Sequence, residues 1–334
     1  LIVVMNRKNF LTKGPDTHTP IVVQEASRIF ANGAGVAEIS FRVPAGTIFG
    51  LIGPSGCGKT TTVRLLTGIH RPDAGNVQIF GQIPHRFSRR QRKQIGYVAQ
   101  QFALYERLSV RENLDFAASL QGMRIFGRRR RVQDMLNFVE LSDAQDRLAA
   151  HLSGGMRRRL MLACALVHEP KIVFADEPTT GIDPVLREKL WEGFRTVRDE
   201  GRSIFVTTQY VGEATNCDYV GVMSFGRMLA IDTPTNLRRQ ALGGDVVRIT
   251  VSPEQLLPAS ELLRRHPALR QLRYSTERPG VMDAVVDDAG ERLPQILDLL
   301  RQAENIEVQS AQPYFPPFDE VFVQMMTKQG DTHA

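Results

Sequence analysis

Cysteine is scarce in this 334-residue chain, and its three copies, Cys57, Cys164 and Cys217, are far apart. No C-x-x-C pair occurs, so neither a structural zinc site nor a disulfide framework is expected. Long apolar runs are missing too. No stretch reaches the roughly 18–20 apolar residues that cross a bilayer. The opening Leu1-Ile2-Val3-Val4-Met5 is too short for a signal-peptide core, and basic residues follow it rather than precede it. The expectation is a cytoplasmic chain that reaches a membrane only through a partner. Aromatics are few, with one tryptophan. None interleaves with the basic residues at the spacing of a base-stacking platform, so nucleic acid is not an expected partner. Neither a long internal repeat nor a low-complexity tract occurs.

What is present suits a folded protein with a large core and, at this length, two domains. The formal net charge is +6. Basic residues gather in Arg86 to Lys93, in Arg124 to Arg131 and at Arg157-Arg158-Arg159. Anionic lipid or nucleic acid would suit such clusters. A solvated helix face is the simpler reading and is preferred for the first two.

One stretch carries a specific chemistry. Gly53-Pro54-Ser55-Gly56-Cys57-Gly58-Lys59-Thr60 fits G-x-x-x-x-G-K-[ST] at every fixed position. Its glycines let the backbone curl so that several N–H groups face one anion. A helix expected from about Lys59, continuing through Thr61, adds its positive end. Lys59 is placed to neutralise phosphate, and the Thr60 hydroxyl suits Mg²⁺, a hard cation. The apolar run Thr47 to Ile52 before the loop reads as a buried strand. The Cys57 thiol, beside that helix end and Lys59, is expected to favour the thiolate.

A second constellation follows. Lys171 to Ala175 is an apolar strand ending in Asp176 and Glu177, which it would deliver to the sheet's carboxyl edge. One acid can hold Mg²⁺ and the other can polarise an attacking water. Ser153-Gly154-Gly155 opens a helix and makes a second anion-binding start. Two cradles in one chain suggest a head-to-tail dimer around two nucleotides.

The order of elements is α/β. Strands surround the phosphate loop, and helical spacing takes over from about Leu108 to Ala150. Alternation resumes with helix 155–168, strand 171–175, helix 184–200 and strand 203–208. Beyond Ala241-Leu242-Gly243-Gly244 the pattern is β-α-β-β-α-β, the ferredoxin-like order. It runs from strand 246–251 to strand 305–311, then a bend at Pro313 to Pro317 and a short helix. The expected organisation is a lead-in over 1–19, an ATP-binding domain over 20–240 with a helical subdomain at about 101–155, and an accessory domain over 245–328.

These motifs, in this order, resemble the ATP-binding subunit of an ABC transporter over roughly residues 20–235. Gly53 to Thr60 resembles the Walker A motif, Gln100 the Q-loop glutamine, and Leu152 to Met156 the signature. Asp176 and Glu177 resemble the Walker B aspartate and catalytic glutamate, and Gly181-Ile182-Asp183 the D-loop. The resemblance implies a P-loop NTPase fold of RecA-like core, antiparallel β subdomain and helical subdomain. It also implies ATP and Mg²⁺, the ion held by Thr60, Gln100 and Asp176. It implies ATP hydrolysis by Glu177 with Lys59, and Phe30 stacked on adenine. The partners implied are a second copy of the chain and a separate transmembrane permease, which would hold the subunit at the cytoplasmic face of the membrane. Phe102-Ala103-Leu104-Tyr105, the C-terminal appendage and Pro317 to Phe322 are similar to type-2 export ATPases, including antibiotic-resistance exporters of the daunorubicin type. Drug, multidrug or lipid-like efflux is therefore expected, with an import ATPase or a non-transport ABC ATPase acting on nucleic acid or the ribosome as alternatives. Two positions depart from the family. Gln209 stands where histidine is usual; it can donate a hydrogen bond to phosphate but cannot carry a proton near neutral pH. Met156 replaces the usual signature glutamine.

Overall fold

The computed structural model describes residues 19–275, 278–303 and 306–330. Of the expected lead-in, only Thr19 is among them. Contacts divide the chain into two units that meet between Asp232 and Thr233.

The first unit is built on a six-stranded sheet in the order β5-β6-β7-β3-β8-β9. Its strands are β3 (Ile48–Ile52), β5 (Ile95–Val98), β6 (Ile172–Asp176), β7 (Ser203–Thr208), β8 (Tyr219–Ser224) and β9 (Arg227–Asp232). All but β9 run parallel. Every residue of β3, β6 and β7 is buried, as expected where a parallel strand is covered on both faces. Beside it lies an antiparallel sheet, β2-β1-β4, of β1 (Ile21–Ile29), β2 (Gly35–Val43) and β4 (Ala74–Ile79). The two sheets share one core. Phe41 of β2 stacks on Phe49 of β3 at 5.6 Å, and Phe49 stacks on Phe205 of β7 at 5.3 Å.

Helix α1 (Lys59–Leu66) follows β3, and the short α2 (Arg89–Arg92) precedes β5. The expected helical insertion holds α3 (Val110–Leu120) and α4 (Ile125–Phe138), followed by single turns at 142–144 and 149–151. Helical spacing of apolar residues turns Val110 and Leu114 of α3 and Val132, Met135 and Leu136 of α4 inward, but Leu120, expected on the same stripe as Val110, is 60% exposed. Ser109 and Glu112 form a capping box that starts α3. The frame resumes with α5 (Gly154–Leu166) and α6 (Pro184–Asp199).

The second unit begins earlier than the composition shift suggested. Helix α7 (Pro234–Leu242) packs on α10 (Phe318–Gly330). The Arg238 guanidinium lies 5.7 Å from the Phe318 ring centre. Gly243 therefore ends a helix, in the left-handed conformation that glycine accepts without a Cβ penalty, and is not the junction between units. Strands β10 (Asp245–Val251), β11 (Gln271–Tyr274), β12 (Val281–Val286) and β13 (Val308–Tyr314) form an antiparallel sheet, order β11-β12-β10-β13. With α8 (Leu256–Arg264) and α9 (Ala289–Arg301) this is the β-α-β-β-α-β element order. Val247, Ile249, Met282 and Ala284 join Leu263, Ile296 and Leu300 of the helices in one core. Strand β13 carries Pro313 inside it, where a bend was expected. It is an edge strand, which has an unpaired side on which the missing N–H does no harm.

Candidate functional site

The sheet order places four strand ends side by side, and each ends in a residue singled out above. β5 leads to Gln100, β6 ends in Asp176 and Glu177, β7 leads to Gln209, and β3 leads into the glycine loop. This is the carboxyl edge where open α/β sheets take ligands.

The loop turns into α1 through Gly58 at φ 110. A β-carbon there would sit 2.7 Å from the Gly35 carbonyl oxygen, so the position excludes other residues on both grounds. Pro54, Ser55 and Gly56 are exposed at the tip, while Thr60 and Thr61 are half-buried. Lys59 lies inside the loop, 3% exposed. Its Nζ donates to the carbonyls of Gly53 and Pro54 at 2.9 and 3.0 Å and lies 3.3 Å from Glu177 Oε1.

The two acids are held from behind. The Thr207 hydroxyl donates to Asp176 Oδ1 at 2.6 Å, and the Thr60 hydroxyl donates to the same oxygen at 3.3 Å. Burial pushes the Asp176 carboxyl above its ordinary pKa, and these two hydrogen bonds oppose the shift. Glu177 has φ 47, a strained value for a residue with a side chain. Its N–H is fixed by both the carbonyl and the hydroxyl oxygen of Thr207, at 3.1 and 3.0 Å. The resulting turn brings one carboxylate oxygen to Lys59. The other accepts from Gln100 Nε2 at 2.9 Å.

Other expected residues have their own neighbours. Phe30 follows β1 half-buried, its ring edge-on to His70 at 5.5 Å and 5.3 Å from the Arg28 guanidinium. Gln209 is half-buried between Thr208 and Tyr210, and the Arg187 guanidinium lies 4.5 Å from the Tyr210 ring centre. Ser153, Gly154 and Gly155 line a different cleft, of about 590 Å³, with Gly181, Asp183 and Leu186. Ser153 caps α5 by accepting from the Met156 N–H at 3.3 Å. A β-carbon on Gly155 would sit 2.2 Å from Leu186 Cδ2, so Gly155 also lets α6 approach.

One expectation is reversed. Cys57 belongs to the loop, but its side chain packs into the core with Val36, Val63 and Met223. Burial raises its pKa more than Lys59 lowers it. The thiol is therefore the favoured form, not the thiolate.

Three residues escaped the sequence reading. Arg158 is 3% exposed and is not part of a solvated basic face. Its Nη1 donates to the carbonyls of Ala99 and Gln100, both at 3.1 Å, and the guanidinium lies 5.1 Å from the Phe102 ring centre. The signature helix thus grips the backbone of the residue whose side chain holds Glu177. The only available signal was helical spacing, which puts Arg158 on the face of Leu162 and Ala165. Thr207 looked like an ordinary strand residue. Glu213 is buried and accepts from the Thr179 hydroxyl at 3.0 Å, tying the segment after Gln209 to the one after Glu177.

Comparisons with known proteins identify the family. The ABC transporter family profile matches residues 36–180. The daunorubicin resistance ATP-binding protein DrrA3 of Streptomyces coeruleorubidus is 34% identical over 92% of this chain and 96% of its own length. The Nod factor export ATP-binding protein I of Burkholderia lata is 39% identical over 69% of this chain and 76% of its own. A solved ATP-binding subunit of an ABC transporter superposes with a TM-score of 0.61 at 29% identity, covering 66% of this chain and 93% of that one. The chain belongs to the ABC transporter family, as an ATP-binding and ATP-hydrolysing subunit, and groups there with subunits named for drug resistance and export.

Proposed function

We infer that this subunit works as a head-to-tail homodimer that hydrolyses ATP and drives a separate membrane permease in export. The observation that carries the reading is the meeting of Lys59, Thr60, Gln100, Asp176 and Glu177 at one sheet edge. Backbone N–H groups from Gly56 to Thr60 would cradle the phosphates, and Lys59 would neutralise the outer ones. Thr60, Asp176 and Gln100 offer only hydroxyl, carboxylate and amide groups, a hard-oxygen set that suits Mg²⁺, which would neutralise charge on the phosphates. Glu177 would orient the attacking water, and Gln209 would donate a hydrogen bond to the γ-phosphate. Phe30, flanking β1, would take the adenine ring.

The signature cleft supports the dimer. Its helix start is lined by residues of the same chain that make no part of the Lys59 cluster, and Ser153 and both its glycines are open to a ligand brought by a second copy. Export rests on the relatives, two of which are named for daunorubicin resistance and one for Nod factor export; a drug-like or lipid-like cargo is the corresponding proposal. The permease would hold the subunit at the cytoplasmic face of the membrane.

The test is the Glu177→Gln variant at saturating Mg-ATP. Turnover should fall about 10²–10⁴-fold, the range for a lost general base. Light scattering should report a dimer that retains nucleotide. A monomer free of nucleotide would sink the reading.

A further inference from the structure

Two basic clusters that are far apart in sequence approach each other at the turn between α3 and α4. Helix α2 and its end carry Arg89, Arg90 and Lys93; the turn between α3 and α4 and the start of α4 carry Arg124, Arg129 and Arg130. They meet at Gly122. Lys93 Nζ and an Arg89 Nη lie 3.1 and 3.8 Å from where a β-carbon on Gly122 would sit. Among the described residues none of these six forms an ion pair, whereas the neighbouring Arg128 and Arg131 pair with Asp115 and Glu169. The first turn of α4 holds no acid. Arg124 is the N-cap of α4, where a cation meets the positive end of the helix dipole, an arrangement unfavourable within the chain and relieved by an outside anion; Arg129 and Arg130 follow in the next turn.

Apolar side chains stand among these charges. Phe126 is 99% exposed, Ile125 63% and Leu120 60%. On α4, Phe126, Arg129 and Arg130 share one face by their spacing of three and four. Membrane binding grows with the apolar area that enters the interface and with attraction to anionic lipid, and this surface offers both. A nucleic-acid surface would use the cations and leave a projecting Phe126 and Ile125 without a role.

We propose that this surface, centred on Phe126, Arg129 and Arg130, docks directly on an anionic lipid bilayer, independently of nucleotide and of any permease. Phe126 enters the headgroup boundary while Arg129 and Arg130 on its face, with the cations around Gly122 nearby, meet lipid phosphates. The surface lies outside the ATP site, so this contact and the ATPase reading stand or fall separately.

The test is co-sedimentation of the full chain, without nucleotide, with vesicles of phosphatidylcholine alone or with 30–40% phosphatidylglycerol, roughly the anionic content that gives a sizeable surface potential. Binding should require the anionic lipid and weaken with salt. Arg129→Glu with Arg130→Glu should weaken it by at least about thirtyfold, the loss of two surface cations. Phe126→Ser should weaken it severalfold without changing the salt dependence. Circular dichroism and nucleotide affinity should match the wild type for all these surface variants. Absence of binding, equal binding to neutral vesicles, or an unchanged double variant would each overturn the proposal. So would tighter binding to duplex DNA or RNA at the same salt, lost in the same variants.

Discussion

The phosphate-loop cluster and the signature cleft lie in the same unit but are built in opposite ways. In the first, Lys59, Asp176 and Glu177 are almost fully buried and linked through Thr60, Thr207 and Gln100 into a continuous network. In the second, Ser153 and its glycines line an open cleft, and little but the helix cap engages them. The difference teaches how the labour is divided. The buried side fixes charges within one chain, where a low dielectric magnifies them. The open side offers donors at a helix start, and in the proposed dimer it would receive its anion from the second copy. Arg158 joins the two, since it rises from the signature helix and holds the carbonyls at Gln100.

The sharpest break of this contrast is Gly155→Val. Its β-carbon would press on Leu186 Cδ2, and overpacking of this kind costs about 1–3 kcal/mol. The clash is within one chain; where α6 shifts to relieve it and the cleft is displaced, that cost falls on association as roughly 5- to 150-fold. The monomer should still bind nucleotide within about twofold of wild type; dimerisation in the Glu177→Gln background should suffer, as read by light scattering. Equal loss of both would merge the two regions into one. Next comes Arg158→Met, which keeps the bulk but leaves the carbonyls of Ala99 and Gln100 without their donor. Charged hydrogen bonds of this sort contribute about 1.5–3 kcal/mol. Turnover should fall about tenfold or more and thermal stability should drop, with nucleotide affinity changed little. Full activity in Arg158→Met would leave the two sides uncoupled. The smallest effect belongs to Gln209. Gln209→Ala should lose about fivefold in steady-state turnover, the worth of one neutral hydrogen bond near 1 kcal/mol. Gln209→His should gain a pH dependence near ~6.5 that the wild type lacks. A wild type no faster than Gln209→Ala would remove the positioning role.

Much of the site was legible because its chemistry sits in contiguous motifs. Gly53 to Thr60 and Asp176-Glu177 each name their residue types at fixed spacing, and an apolar strand before each motif marks the sheet edge. The second-unit strands were legible from period and length, except where Pro313 argued against a strand and edge position overruled it. What was not legible depends on neighbours far along the chain. Cys57 looked ionisable beside Lys59, but its burial in the core decides its charge. Arg158 looked like one of three surface arginines, but helical rotation turns it inward onto carbonyls of a loop about 60 residues away. Gly243 looked like a domain junction, but it caps a helix already committed to the second unit.

By itself the sequence determined the phosphate-binding chemistry, because a nest of N–H groups and a lysine needs only local backbone freedom and residue order. Tertiary structure alone decided that Glu177 sits between Lys59 and Gln100, and that Arg89 and Lys93 come to the turn before Phe126. Strand order and helix packing set those meetings, and no local pattern encodes which distant segments will be neighbours.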